Sequence, residues 1–328
     1  MDRDKRSNTE IWMPSAEKST LQIRAKLLAS IRDFFYQRNV LEVDPPLLAS
    51  TSVTDINIES ITAQVNSSEV YLQTSPEYFM KRLLAAGMGD IYSMGKVFRS
   101  GEIGQRHNPE FTLLEWYRLG WDEHQLMSEV SDLICFLYKN FKQTALAINH
   151  CSYTECFRHV FDIDPHSCAL EDLQDLAIKV GSKSWRNETR ASCLDLLFSQ
   201  SVESTLPKGL VFVYDYPICQ AALAETKINE NGQWVSRRFE TFLNGLELAN
   251  GYFELTDGKE LVKRFEADNK ARSLMQKKTM PLDEKFSLAM QEGMPNCVGV
   301  ALGIDRLLMI LCDTDSIEKV MPFSWDHC

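Results

Sequence analysis

Apolar residues recur at helical spacing along LQIRAKLLASIRDFFYQRNV, where Ile23, Leu27, Ile31, Phe34 and Phe35 form one stripe with charged residues between them. The spacing predicts an amphipathic helix ending at VLEVDPP. Pro45 and Pro46 lack an amide hydrogen and fix φ, so the chain beyond them is expected to be extended or at a sheet edge. SSEVYLQTSPEYFMKRLLAAGMGD reads as a strand, a turn and a helix, with Ser75 as N-cap, Pro76 at the first helical position and Leu83 and Leu84 buried. IYSMGKVFR and FTLLEWYRL read as two strands joined by a loop of about ten residues. On the second strand the side-chain period of two places Phe111, Leu113, Glu115 and Tyr117 on one face, and Thr112, Leu114, Trp116 and Arg118 on the other.

Residues 122–200 are mostly helical in pattern: DEHQLMSEVSDLICFLYKNF, SYTECFRHVF and ALEDLQDLAIKV carry apolar residues three and four apart. Strands return with LVFVYDYP and RRFETFLNGLELANGYFEL. In the latter Asn244-Gly245 is a two-residue hairpin signal, because both central positions of a type I′ turn need positive φ. Asn250-Gly251 offers a second turn. KELVKRFEADNKARSLM predicts a polar helix, and CVGVALGIDRLLMIL a glycine-spaced strand running into an apolar helix. With no repeat or low-complexity tract, one domain with a helical excursion in its middle is expected.

Composition narrows the class. Of 328 residues 44% are hydrophobic and 25% charged, the balance of a soluble globular protein. The start, MDRDKRSNTE, is hydrophilic, and the longest apolar run, residues 307–312, is too short to cross a bilayer. A cytoplasmic chain without a membrane role is expected. Nine cysteines without C-x-x-C spacing argue against a disulfide framework and a zinc knuckle. A formal net charge of -11 works against non-specific attraction to nucleic-acid backbones.

Three groups of residues carry candidate chemistry. FRSGEIGQRHNPEFTLLEWYR gathers Arg99, Arg106, His107, Asn108 and Phe111 beside Glu115 and Tyr117. Cationic and amide groups suit a phosphate, whereas a carboxylate and a phenol suit an ammonium group. Read from its strand alone, Glu115 is a solvent-facing charge. Glu247, on the second arm of the hairpin, and Glu254 read either as surface charges or as carboxylates that join phosphate oxygens around a divalent cation. Gly299, Gly303 and Arg306 form the third group: glycines admit close approach to the backbone, and the helix beyond them favours anions at its start. Neither a P-loop nor a G-x-G-x-x-G turn is present, so an ATP site here takes neither form.

FRSGEIGQRHNPEFTLLEWY resembles motif 2 of the class II aminoacyl-tRNA synthetases, specifically the lysyl type, and GVALGIDRLLM resembles their motif 3. VLEVDPPLL is similar to motif 1, with Pro46 at the dimer-interface proline. TSPEYFMKRLLAAG and LELANGYFELTD resemble the segments of the lysine pocket. The match runs from about residue 20 to the C-terminus. The resemblance implies an α+β fold: a class II catalytic core with a mainly antiparallel sheet flanked by helices and a helical insertion at 122–200 between motifs 2 and 3. A single domain over 1–328, with a polar N-terminal extension at 1–20 and no anticodon-binding domain, is expected.

The same resemblance implies ATP and Mg²⁺ as cofactors. Arg99 would meet the α-phosphate, Phe111 and Arg306 would sandwich the adenine, and His107 and Asn108 would lie along the nucleotide. Ser100, Gly101, Glu102 and Leu248 would complete that site, Gly303 would let the nucleotide approach, and Glu247 would hold the metal. Arg99, Arg306 and Glu247 are the implied catalytic set. Glu77, Glu115, Tyr117 and Glu254 would face the substrate ammonium groups, with Ser75, Pro76, Asn250 and Ala301 shaping the pocket.

The spellings HNPEFTLLEWYR and GVALGIDRL, without an anticodon-reading barrel, resemble a truncated branch of the family. That branch ligates (R)-β-lysine to a lysine of translation elongation factor P. The implied partners are elongation factor P as protein substrate, (R)-β-lysine or lysine, and a second copy of the chain in a homodimer, with no tRNA. An acceptor amine attacks the acyl adenylate directly in such a reaction, so no cysteine or serine nucleophile is assigned. Two departures from the lysyl pattern stand out. Arg99-Ser100-Gly101-Glu102 replaces R-N-E, which moves the glutamate by one place. Ala301 replaces a glycine, adding a methyl that crowds an α-amino group and is compatible with a shifted one. A stand-alone lysine-adenylating or tRNA-charging core and an inactive amino-acid sensor remain alternatives.

Overall fold

The computed structural model describes residues 12–328; residues 1–11 of the expected N-terminal extension lie outside the described residues. The first amphipathic stripe forms α1 (Lys18–Tyr36), which buries Leu27, Ile31, Phe34 and Phe35 together with Arg24. β1 (Leu41–Glu42) and β2 (Leu48–Ala49) flank the two prolines, and each lies at the edge of its sheet, as residues lacking a ladder donor require. β3 (Thr62–Val65) and β4 (Ser68–Leu72) join β2 in a small antiparallel sheet. α2 (Glu77–Ala85) starts one residue later than expected, with Pro76 as N-cap. Ser75 acts just outside it, its Oγ accepting the Glu77 N–H at 3.0 Å. Leu84 is buried, and Leu83 only partly so.

β5 (Ile91–Phe98) and β6 (Glu110–Leu119) are the two strands predicted around the loop. α3 (Glu123–Lys142) follows, opened by a reciprocal capping box between Asp122 and Gln125. β7 (Ile148–Ser152) interrupts the stretch expected to be helical. Its short sequence INHCS has little pattern of its own and becomes a strand by pairing in parallel with β8 (Leu210–Pro217). Between them lie α4 (Tyr153–Phe161), α5 (Leu170–Val180) and α6 (Arg190–Leu197). β9 (Thr226–Ile228) pairs with β10 (Trp234–Leu243), which turns into β11 (Leu246–Phe253) through Asn244 and Gly245, at φ 52° and 80°. α7 (Gly258–Leu274), α8 (Glu284–Gly293), β12 (Cys297–Gly303) and α9 (Ile304–Leu311) complete the described chain's longer elements.

The second turn expected at Asn250-Gly251 does not form. Both residues lie inside β11, paired with Glu240 and Phe239 on one side and Ala301 and Val300 on the other. Gly251 is there for space, not for turning: a Cβ on it would lie 2.6 Å from Phe239 Cε1.

The main sheet runs β1-β5-β6-β12-β11-β10-β8-β7, with β9 beside β10. It is antiparallel except for the parallel edge pairs β1/β5 and β7/β8. One face packs Leu114, Trp116, Val298, Val300, Leu302 and Phe239 against α1, α3 and α9 in the largest hydrophobic cluster. Two smaller clusters, one of α4 to α6 against β8 and one of α2, α7 and α8, stand over the other face. The middle of that second face is left to polar side chains. No helix among the described residues is long and apolar enough to cross a membrane. Gly251→Ala forces a methyl into the Phe239 ring, and equilibrium urea unfolding should show a loss of roughly 1–3 kcal/mol.

Candidate active site

The polar face of the sheet floors a cleft of about 980 Å³. Strand alternation sends Phe111, Leu113, Glu115 and Tyr117 of β6 into it, beside Gly299, Ala301 and Gly303 of β12 and Asn250 and Glu254 from β11 and the residue after it. Glu115 is therefore not a solvent-facing charge; it is 3% exposed.

At one end the groups are cationic. Arg99, Arg106, His107 and Arg306 line the cleft together with Glu102 and Glu247. Arg306 donates to the Glu247 backbone oxygen at 3.0 Å and to its carboxylate at 3.3 Å, while its Nη2 meets His107 Nε2 at 2.7 Å. Burial, and then the adjacent Arg306 charge, hold the His107 imidazole below its ordinary pKa. Arg99 lies 5.1 Å from the Phe111 ring centroid and 3.6 Å from Glu102. The displaced glutamate thus reaches the cleft. The Phe111 ring carries Arg99, and Arg306 is engaged with Glu247.

Arg306 owes its place to its neighbour. Asp305 is buried, accepting from Arg24 Nη1 at 2.5 Å and from the Thr112 N–H at 2.6 Å, and Arg24 also donates to Thr112 Oγ1 at 2.6 Å. The start of α9 is thereby locked to β6. The loop between β5 and β6 is moored to the C-terminal segment: Asn108 donates to the Glu110 oxygen at 2.7 Å and accepts from the Trp325 N–H at 2.9 Å, and Ile317 N donates to the Gln105 oxygen at 2.8 Å. The Asn108 amide is thus engaged at both ends within the protein.

At the other end the wall is acidic. Ser75 Oγ and the Tyr117 hydroxyl donate to the two Glu115 oxygens at 2.6 and 2.7 Å. Burial, and then the nearby Glu77 charge, raise the Glu115 pKa to about 7. Glu77 and Glu254 share one cation, Lys81, whose Nζ is 2.6 Å from each. Burial pulls the Lys81 pKa down, but the two carboxylates outweigh it and the net shift is upward. Gly299 makes room for this wall, since a Cβ there would meet the Tyr117 ring and approach Glu254 Oε1 to 2.5 Å. Ala301 sits in register between Glu115 and Asn250.

Glu247 and Glu254 do not act on one cation: Glu254 belongs to the acidic wall with Lys81, and Glu247 to the Arg306 end. The carboxylates acting on Glu247's neighbourhood are Glu203 and Glu240. Burial, followed by repulsion from Glu247 and Glu240, raises Glu203 to about 7. Ser100, Gly101 and Pro76 stand outside the lining; the Ser100 N–H is spent on the Glu59 oxygen at 2.7 Å. Sequence reasoning passed over Lys81, Arg238 and Glu240. Arg238 lines the cleft and donates to Asn250 Oδ1 at 3.2 Å, to the Gln220 oxygen at 2.7 Å and to Glu240 at 2.5 Å. The signals were there, as Lys81 follows Glu77 by four residues on a helix and Arg238 precedes Glu240 by two on a strand.

A family model for class II tRNA synthetases (D, K and N) matches residues 6–327. The chain belongs to this family. The elongation factor P–(R)-β-lysine ligase of Pseudoalteromonas translucida is 43% identical over 325 residues, spanning 96% of this chain and 98% of that protein. The ligases of the same name from Vibrio parahaemolyticus and Photorhabdus laumondii are each 42% identical, over 95% and 97% of this chain and 97% and 98% of their own lengths. The α+β architecture is that of a class II synthetase domain, and the chain is a ligase-type enzyme.

In this synthetase-family cleft the raised Glu115 pKa has a cost in stability. Between about 4.5 and about 7 the folded protein keeps a proton that the unfolded chain releases, so stability falls as pH rises through that window. Glu115→Gln removes this group's share of the slope. In urea unfolding from pH 5 to 8, the variant should gain on the parent with rising pH, by roughly 1–3 kcal/mol at pH 8.

Proposed function

We propose that this chain adenylates (R)-β-lysine with ATP and transfers it to the side-chain amine of a lysine of elongation factor P. The observation that carries this reading is the charge division of one continuous cleft, with guanidinium groups at one end and three carboxylates against one ammonium at the other. With its three carboxylates ionised, that acidic wall bears two negative charges in excess of Lys81. A diamino acid that has surrendered its carboxylate to an anhydride brings two positive ones, and buried ammonium groups need such partners. The near full-length match to ligases of that name supports the same reading.

In the first step the substrate carboxylate attacks the α-phosphorus in line, an oxygen–phosphorus bond forms, and the bond to pyrophosphate breaks. Arg99 is assigned to the charge that grows on the phosphoryl oxygens, where fixed donors in a water-poor site are most effective, and Arg306 to the adenine face opposite Phe111. Phe111 is the stacking face for the base, Leu248 and Gly303 its walls, and Glu102 and His107 its polar neighbours. Magnesium needs only one or two carboxylates besides phosphate oxygens; Glu247 would be one, with Glu203 close enough to feel its charge. When bound, the ion neutralises triphosphate charge. In the second step the acceptor amine attacks the acyl carbon, AMP leaves with the bonding electrons, and the amine loses a proton. Glu77, Glu115, Tyr117 and Glu254 hold the acyl group's ammonium groups meanwhile, with Asn250 and Ala301 beside them.

We further propose that residues 122–200 are an insertion within one catalytic domain, that the chain pairs with a second copy through the segment holding Pro46, and that it works in the cytoplasm with a protein acceptor in place of tRNA.

Incubating the chain with ATP, (R)-β-lysine and elongation factor P should add the mass of one β-lysyl group to the factor. Arg99→Ala and Arg306→Ala should each slow amino-acid-dependent pyrophosphate exchange by about 100-fold or more. Charging of lysine tRNA without modification of the factor would reassign the acceptor, and absence of exchange in the parent would leave a binding protein.

A further inference from the structure

Lys81 is 1% exposed and lies behind the cleft lining, held between Glu77 and Glu254 at 2.6 Å each. It is not among the residues that line the cleft, whereas both of its carboxylate partners are. Glu115, the third carboxylate, takes its hydrogen bonds among the described residues from the neutral Ser75 and Tyr117 hydroxyls. Other titratable groups pack on the cluster from every side: Tyr78 on α2, Tyr117 on β6, Tyr252 on β11 and Cys297 on β12. Burial pushes each of these upward, with Asp268 adding repulsion at Tyr78 and Asp90 at Cys297. They stay neutral through the physiological range. Glu77, Glu115, Glu254 and Lys81 therefore carry the charge of the acidic wall.

We propose that Lys81 is a positioning residue that sets the substrate class of this site: by neutralising one of three carboxylates, it leaves a pocket matched to an acyl group with two ammonium groups. The inference rests on the reaction proposed above. Without Lys81 the three carboxylates would face one another with no internal cation. Each would raise the pKa of the others, and a carboxyl that keeps its proton at neutral pH cannot pair with an ammonium. Burial already pushes the Glu254 carboxyl upward, and the Lys81 ammonium at 2.6 Å is the cation that opposes it.

The test is pyrophosphate exchange from pH 6 to 9, with (R)-β-lysine and with the analogue of equal chain length lacking the terminal amino group. Lys81→Met should raise KM for the diamino acid about tenfold at pH 7 and narrow its advantage over the analogue. It should also move the acid limb of kcat/KM upward by about half a pH unit or more, with KM for ATP unchanged. Lys81→Arg, which keeps the charge, should retain the parental limb. The double variant Lys81→Met/Glu254→Gln removes one charge of each sign and should return the limb toward the parental pH even with KM still raised; it also serves if the single variant does not fold. An acid limb unmoved in Lys81→Met, or displaced as far in the double variant, overturns the proposal, as does a parallel rise in KM for ATP. A parent that exchanges no pyrophosphate overturns the reaction instead, and calorimetric binding of the diamino acid then reads the same shift.

Discussion

Two buried groups at the start of α9, the Asp305 carboxylate and the Arg24 guanidinium, join three segments far apart in sequence. Asp305 takes its hydrogen bonds from Arg24 of α1 and from the Thr112 backbone of β6, and Arg24 reaches the Thr112 hydroxyl as well. Breaking one partner of such a pair leaves an uncompensated charge in the core, at a cost of about 3–5 kcal/mol. The arrangement is therefore stiff. Because Arg306 is the next residue and Phe111 precedes Thr112, this one contact sets how the cationic end of the cleft sits relative to the strand that carries Glu115.

The rest follows from β6. Its even-numbered side chains face the helices, where Trp116 and Arg118 both donate to Glu129 and fix the strand from behind. Its odd-numbered side chains run from an aromatic ring through an aliphatic one to a carboxylate and a phenol, so one strand spans both ends of the cleft. A long mixed-charge ligand can lie along such a floor without changing register. The hydrophobic clusters over the two ends of the sheet keep the polar strip between them from closing on itself.

Much of this was readable from local pattern. The alternation of β6, the Asn244-Gly245 turn and the strand-to-helix passage around Gly303 depend on a few neighbouring residues, and all three formed as expected. What escaped depends on partners distant in the chain. Asn250-Gly251 has the composition of a turn, but Phe239 across the sheet occupies the space that a side chain at Gly251 would need. INHCS acquires its strand from β8, about sixty residues later. Lys81 looks like an ordinary helix-surface lysine until Glu254 is brought against it, and the burial of Glu115 cannot be read from alternation, which reports the face but not what covers it.

The mooring of the β5–β6 loop has a practical side. Gln105 and Asn108 are tied to residues 315, 317 and 325 by hydrogen bonds of 2.8 to 3.0 Å, so the tail of the chain is part of the cationic end although it contributes little to the floor. Clipping within that tail by a contaminating protease would free the loop and would also loosen Ile317, Val320 and Met321, which belong to the largest hydrophobic cluster. The same few residues thus hold a loop and close a core, so intact mass is a measure of quality to take before any weak affinity is ascribed to the chemistry.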